Sequence, residues 1–274
     1  SSPRRERVTL SLVWKIKASS RGRSPSGTRS LIKYTEKFKD TLNNMMLTID
    51  SEEFPKNDNL AALSFLYSYN NRFNMYFLQG EFEDGLTILP EVTQGIERFK
   101  NQIDPHHVMM FYYKIACVYF GAADYENCIV YLDKIISNKR LKMREDLLCF
   151  SRVLNIFAHY EAGFDYHLET HLRETYKFLI KMNDLHAVQK AMIRFVKNLG
   201  DIYPHEIKTA FQELYTELKQ YENDPYERRS FLYLDILSWL ESKINNVPIA
   251  RIIQQKASQL NRKERPSISP YSEG

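Results

Sequence analysis

Cysteine is scarce in this chain, with three among 274 residues, and Cys117, Cys128 and Cys149 never form a C-x-x-C pair. That spacing excludes a disulfide framework or a zinc knuckle as the organising element. Three thiols set in apolar helical patterns are expected to be buried and reduced, as in a cytoplasmic protein. Glycine (9) and proline (10) are also sparse, too few to punctuate a fold of many short strands, which favours long helices with short turns. No uninterrupted apolar run reaches the roughly 18 residues a membrane span needs. Walker, G-x-S-x-G and G-x-G-x-x-G patterns are missing, and no carboxylates pair convincingly, so neither an enzyme nor a cofactor is expected.

Acidic residues are nearly absent from one region. Residues 1–33 carry nine basic side chains against Glu6 alone, a net of +8, while the whole chain is only +4. The remainder therefore stands at −4, which argues against a broad nucleic-acid surface on the folded body and confines any phosphate contact to the N-terminal arm. Residues 1–30 read as a basic, disordered arm, with flexible tail, targeting presequence and ligand-binding arm all compatible with an Arg- and Ser-rich composition. The chain begins at Ser1 rather than Met, which reads as a fragment; if the helix expected at 31–48 is the second of a preceding hairpin, the fragment is the C-terminal part of a longer protein. Residues 261–274 read as a disordered C-terminal tail.

From Ile32 onward apolar residues recur at spacings of three and four. The pattern predicts an all-α domain over 31–260 with about 11 helices: 31–48, 58–79, 82–101, 105–121, 125–138, 143–162, 165–182, 184–199, 204–222, 225–244 and 248–260. Pro105, Pro225 and Pro248 each follow Asp or Val at a helix start, where the missing N–H costs nothing. Gly80, Gly163 and Gly200 close helices. Pro90 falls inside the helix that begins at Phe82 and should kink or break it.

The chain also repeats itself. Tyr69, Phe73, Tyr76, Gly80, Phe82, Gly85, Leu89 and Val92 recur at an offset of 43 as Tyr112, Ala116, Tyr119, Ala123, Tyr125, Cys128, Leu132 and Ile135. A weaker third copy follows 40 residues later, with Ile156, His159, Gly163, Leu168 and Leu172. A period of this size with aromatic and small residues in register marks stacked helical hairpins, none of which buries its apolar face alone.

These positions resemble the tetratricopeptide repeat, a helix-turn-helix of roughly 34 residues. Tyr69, Tyr76, Gly80-Glu81-Phe82 and Gly85 occupy its pattern in the first copy; Tyr112, Tyr119, Ala123-Asp124-Tyr125 and Cys128 do so in the second. The segment from Tyr226 to Ile244 is similar to the C-terminal portions of uncharacterised bacterial helical-repeat proteins. The resemblance implies a right-handed α-α superhelix, a solenoid of antiparallel hairpins acting as a non-catalytic protein-binding scaffold. It further implies that first helices line a concave peptide-binding groove, here Tyr67, Asn70, Asn71, Asn74 and Phe77 in the first copy and Met110, Tyr113 and Lys114 in the second. Asn70 and Asn74, one turn apart, offer donors and acceptors to a peptide backbone.

The family's carboxylate clamp is not reproduced, because Phe150 and Leu154 stand at the third-copy places. Phe150, Val153, Leu154, Phe157 and Tyr160 form either an apolar groove floor or a stripe covered by neighbouring helices. His167 and His171 lie one turn apart, with His159 on the preceding helix, but H-L-E-T-H is not H-E-x-x-H and metal ligation is not expected. The resulting expectation is a scaffold binding a protein or peptide segment. The alternative is a nucleic-acid-linked regulator whose arm contacts phosphates while the repeats hold a peptide.

Overall fold

Helix boundaries follow the punctuation of the sequence closely. A computed structural model describes residues 40, 43, 44, 47, 58–138, 145–163, 165–181, 187–199, 202–203, 205–224, 227 and 235–263. Among these, every regular element is helical and no strand occurs. The helices are α1 (Asp58–Gln79), α2 (Phe82–Thr87), α3 (Leu89–Arg98), α4 (Pro105–Gly121), α5 (Tyr125–Ile136), α6 (Glu145–Ala162), α7 (Asp165–Ile180), α8 (Ala187–Asn198), α9 (Ile207–Lys219), α10 (Ile236–Asn245) and α11 (Ile249–Lys263). Taking the interrupted α2 and α3 as one element leaves ten among the described residues rather than about eleven. The arm over 1–30, most of the helix expected at 31–48, Gly200, Pro225 and the tail beyond 263 lie outside the described residues.

Local chemistry explains the boundaries. Asp104 accepts from the His106 N–H at 2.8 Å ahead of Pro105 at the start of α4, and Asp124 accepts from the Asn127 N–H at 3.2 Å at the start of α5. Both satisfy backbone donors that a helix leaves unpaired. Pro90 has the expected effect: the helix from Phe82 ends at Thr87 and a new one begins at Leu89, with the proline in its first turn. The expected continuous helix over 225–244 is corrected. Asp235 is non-helical (ψ 68°) and accepts from the Ser238 N–H and hydroxyl at 3.0 and 2.6 Å, so α10 starts afresh at Ile236. Aspartate followed three residues later by serine competes with helix continuation by bonding locally. Pro248 stands just before α11 rather than within its first turn.

Hairpin turns carry the clearest repetition. Gly80 (φ 66°), Ala123 (φ 61°) and Gly163 (φ 70°), the three matched positions of the repeat, all adopt the left-handed conformation. At Ala123 the turn is a Schellman closure: the Asp124 N–H reaches Tyr119 O at 2.9 Å and the Ala123 N–H reaches Phe120 O at 3.1 Å. Asn246 (φ 53°) ends α10 in the same way, with the Val247 N–H on Ser242 O at 3.0 Å.

The chain divides into two compact units, one of residues 1–79 and 253–274 and the other of residues 80–252. In the first, α1 buries Leu60, Ala62, Phe65 and Phe73 together with Ser64, Ser68 and Asn71. In the second, helices adjacent in sequence pack on each other from α4 through α10, and α4 also touches α2 and α6.

The core of this second unit is centred on α6. Leu147, Cys149, Phe150, Val153, Leu154, Ile156, Phe157 and Ala158 are all buried, on more than one face, as expected of a helix that is apolar all round. Two of its buried polar side chains bond within the helix, the Ser151 hydroxyl donating to Leu147 O and His159 Nδ1 meeting Asn155 O, both at 2.8 Å, while Asn155 Nδ2 donates to Asp133 Oδ1 of α5 at 3.4 Å. The Phe157 ring stacks on Trp239 of α10 at 4.2 Å, and Phe211 of α9 meets both Trp239 and Tyr160 of α6. Glu161, at the end of α6, accepts from Trp239 Nε1 at 2.7 Å and from Lys243 Nζ at 2.6 Å.

Candidate functional site

The groove residues expected from the sequence fall into two sets, one in each unit. On α1, Tyr67, Asn70, Asn74 and Phe77 are half-buried and share one face by their spacing of three and four residues. Leu63 and Leu78, near the two ends of that face, are 39% and 42% exposed. Asn71 lies elsewhere. At 3% exposure it belongs to the buried side of α1 with Ser64 and Ser68, one residue round the helix from Asn70. Arg72 is the only basic residue on α1, and its guanidinium sits 5.2 Å from the Tyr69 ring centre.

On α4, only Met110 of the three expected residues is half-buried; Tyr113 and Lys114 are buried. These two therefore face protein rather than solvent. Burial pushes the Cys117 thiol up to about 12, with the neighbouring Tyr113 and Lys114 opposing the rise. Burial also pulls the Lys114 ammonium down to about 7, against the opposing influence of Cys117. A desolvated ammonium loses its hydration and so favours the neutral amine. Burial likewise raises Cys149 to about 12 and Cys128 well above its ordinary value, which makes these thiols poor nucleophiles near neutrality. At the end of α4, Gly121 lies directly against the Phe82 ring of α2; a Cβ there would overlap the ring.

Beside these, α4 and α5 present an aromatic ladder that the motif reading did not single out as a surface. Tyr131 stands 5.8 Å from both Tyr112 and Tyr119, and Lys134 Nζ lies 4.1 Å from the Tyr131 ring centre. All three rings are half-buried, and burial raises each phenol above its ordinary value. The signal was present in the sequence, since Tyr112 and Tyr119 are seven residues apart and share a helical face.

The apolar stripe on α6 resolves in favour of coverage. Phe150, Val153, Leu154 and Phe157 are buried and Tyr160 half-buried, so they form core rather than a groove floor. His159 and His171, from α6 and α7, meet with ring centres 4.2 Å apart. Among the described residues no group of three or more His, Cys, Asp or Glu side chains is gathered for a metal ion, and no helix is long and apolar enough to cross a membrane. Comparison with family models, with curated proteins and with solved structures yields no match.

Proposed function

We propose that this chain is a non-catalytic, tetratricopeptide-like scaffold, a right-handed superhelix of hairpins that binds a protein or peptide segment in the cytoplasm. The observation that carries the reading is the recurrence of a left-handed turn residue at Gly80, Ala123 and Gly163. The same backbone device closes the first helix of each copy of the sequence repeat. Repeated hairpins expose extended faces in proportion to their number, and such faces suit linear partners.

On this reading the candidate contacts are Tyr67, Asn70, Asn74 and Phe77 of α1 in the first unit and, taken by itself, Met110 of α4 in the second. Asn71, Tyr113 and Lys114 act from below, by packing. An asparagine amide has two donors and two acceptor lone pairs, enough to hold a partner's backbone while keeping an intramolecular bond. The test is a pull-down with the full chain as bait, partner identified by mass spectrometry, comparing wild type with the double substitution Asn70→Ala, Asn74→Ala. Weakened capture with unchanged circular dichroism is expected. Equal capture by both would remove α1 from the interface.

A further inference from the structure

We propose that the tyrosine ladder of α4 and α5 binds a methylated ammonium, the trimethyl-lysine side chain of a partner protein, and that Lys134 fills the site until the partner displaces it. The site lies wholly in the second unit and does not depend on the face of α1. Two rings converge on one cation. Lys134 Nζ stands 4.1 Å from the Tyr131 ring centre and 5.4 Å from that of Tyr112, within cation–π reach of both. The two rings are inclined at 63°, so they form adjoining walls rather than a flat stack, and Tyr119, at 28° to Tyr131, extends the surface. All three rings are half-buried and Lys134 is exposed, so a ligand can take its place from solvent. Val130, next to Tyr131 in the chain, is 50% exposed. An open aromatic face with an apolar neighbour suits a side chain presented by a larger partner, whereas a small free ion needs enclosure.

The charges around the rings select the kind of cation. Among the described residues no carboxylate forms an ion pair with Lys134. The acids nearby are engaged elsewhere: Glu97 pairs with Lys100 at 3.4 Å, Asp124 accepts from the Asn127 N–H and Nδ2 at 3.2 and 2.8 Å, and Asp133 accepts from Asn155 Nδ2 at 3.4 Å. After burial, Glu97 helps to raise the Tyr112 phenol and Asp124 that of Tyr119. The ladder therefore sits in a negative field that favours a cation without offering it a carboxylate. A primary ammonium has three N–H donors that need acceptors, and ring faces supply these poorly. A trimethylated nitrogen carries the same charge, has no donor to satisfy and packs its methyl groups on the rings, as in aromatic cages. Such a ligand displaces Lys134, whose ammonium regains its hydration on leaving, while an unmodified lysine would exchange like for like.

The experiment titrates the full chain with N-acetyl-trimethyl-lysine amide and follows the tyrosine ring resonances by NMR. Saturable shifts at Tyr112 and Tyr131 are expected, with N-acetyl-lysine amide and the neutral tert-butyl analogue each binding at least about fivefold more weakly, the order of one cation–π contact. Lys134→Gln, an exposed change, should tighten binding about two- to fivefold by emptying the rings of their own cation. Tyr131→Ala, checked for unchanged helicity, should weaken it about fivefold or more, and Tyr131→Phe, which keeps the ring face, should bind like wild type. Five results would overturn the proposal: no saturable shift at these rings, equal binding of the unmethylated or neutral probe, undiminished binding in Tyr131→Ala, binding in Lys134→Gln no tighter than in wild type, or choline binding more tightly than the lysine probe.

Discussion

The hairpin α4–α5 keeps the repeat pattern almost intact, whereas α6–α7, the next copy, keeps only part of it, yet α6 is the more deeply enclosed of the two first helices. On α4, Tyr112, Cys117 and Tyr119 remain half-buried; on α6, nearly every side chain from Leu147 to His159 is buried. The difference lies in the neighbours. α4 packs on α2, α5 and α6, mainly elements of its own or the adjoining copies. α6 receives these and, in addition, Trp239 and Lys243 of α10, Phe211 of α9 and Gln189 of α8. A repeat position is constrained by the interface it shares with equivalent positions elsewhere, and extra neighbours replace that constraint with their own.

The largest test of this contrast is truncation at matched positions. With the 40-residue offset of the third copy, Phe157 of α6 corresponds to Cys117 of α4. Phe157 is fully enclosed and stacked on Trp239, so Phe157→Ala should cost about 3–5 kcal/mol through lost burial and an unfilled cavity. Cys117 is half-buried as a residue, and Cys117→Ala removes a single sulfur atom, which should cost about 1 kcal/mol or less. Denaturant unfolding followed by circular dichroism reads both. Similar costs for the two would show that α6 is not the more enclosed helix.

The two helices also differ in the polar groups they bury. α6 buries the uncharged Ser151 hydroxyl, bonded to its own backbone, while α4 buries the Lys114 amine, which burial lowers to about 7. In the unfolded chain a lysine titrates near 10.4. Between those values the unfolded state holds a proton that the folded state has released, so raising the pH stabilises the fold. The contribution is complete above the unfolded value and is lost as pH falls through about 7. From pH 7.5 to 9.5 wild type should gain on the order of 1 kcal/mol per unit relative to Lys114→Met, whose methionine does not titrate. Parallel curves for the two proteins, measured by urea unfolding, would show that Lys114 titrates normally.

Much of this architecture is legible in the sequence because its determinants are local. Asp104-Pro105, Asp124 and the break near Pro90 each act within one helical turn, through a cap or a missing donor. The covering of α6 was not decided by the sequence: Phe157 and Trp239 are 82 residues apart, and periodicity tells which face is apolar but not what lies against it. The burial of Lys114 escaped for the same reason, since a charged residue at a groove position reads as exposed until its neighbours are known. Asp235 was missed differently. Its bonds to Ser238 are local, but the apolar periodicity on either side continues across it, and the period was weighed above the cap. Among the groove candidates on α1, the resemblance placed Tyr67, Asn70, Asn71, Asn74 and Phe77 together, whereas the structure buries Asn71 and leaves the other four half-buried. The resemblance could not rank Asn70 against Asn71 by exposure.

The smallest expected effects belong to the turns, and they ask whether the copies remain equivalent where neighbours do not intrude. Ala123 and Gly163 occupy matched positions with φ of 61° and 70°, and both are exposed. A Cβ at Gly163 would meet nothing within 4 Å, so Gly163→Ala reports the backbone conformation alone. The left-handed region costs an alanine about 1–2 kcal/mol, partly offset by the lower entropy of the unfolded chain when glycine is replaced. Gly163→Ala should therefore lose about 1 kcal/mol or slightly less. Ala123→Gly reverses the same terms and should gain about 0.5–1 kcal/mol, with the Schellman bonds from Asp124 and Ala123 unchanged. Opposite signs of similar size would establish that one backbone device closes both hairpins, although one copy spells it with glycine and the other with alanine. A loss in both would mean that the Ala123 side chain makes a contribution at its turn that outweighs the strain of its φ.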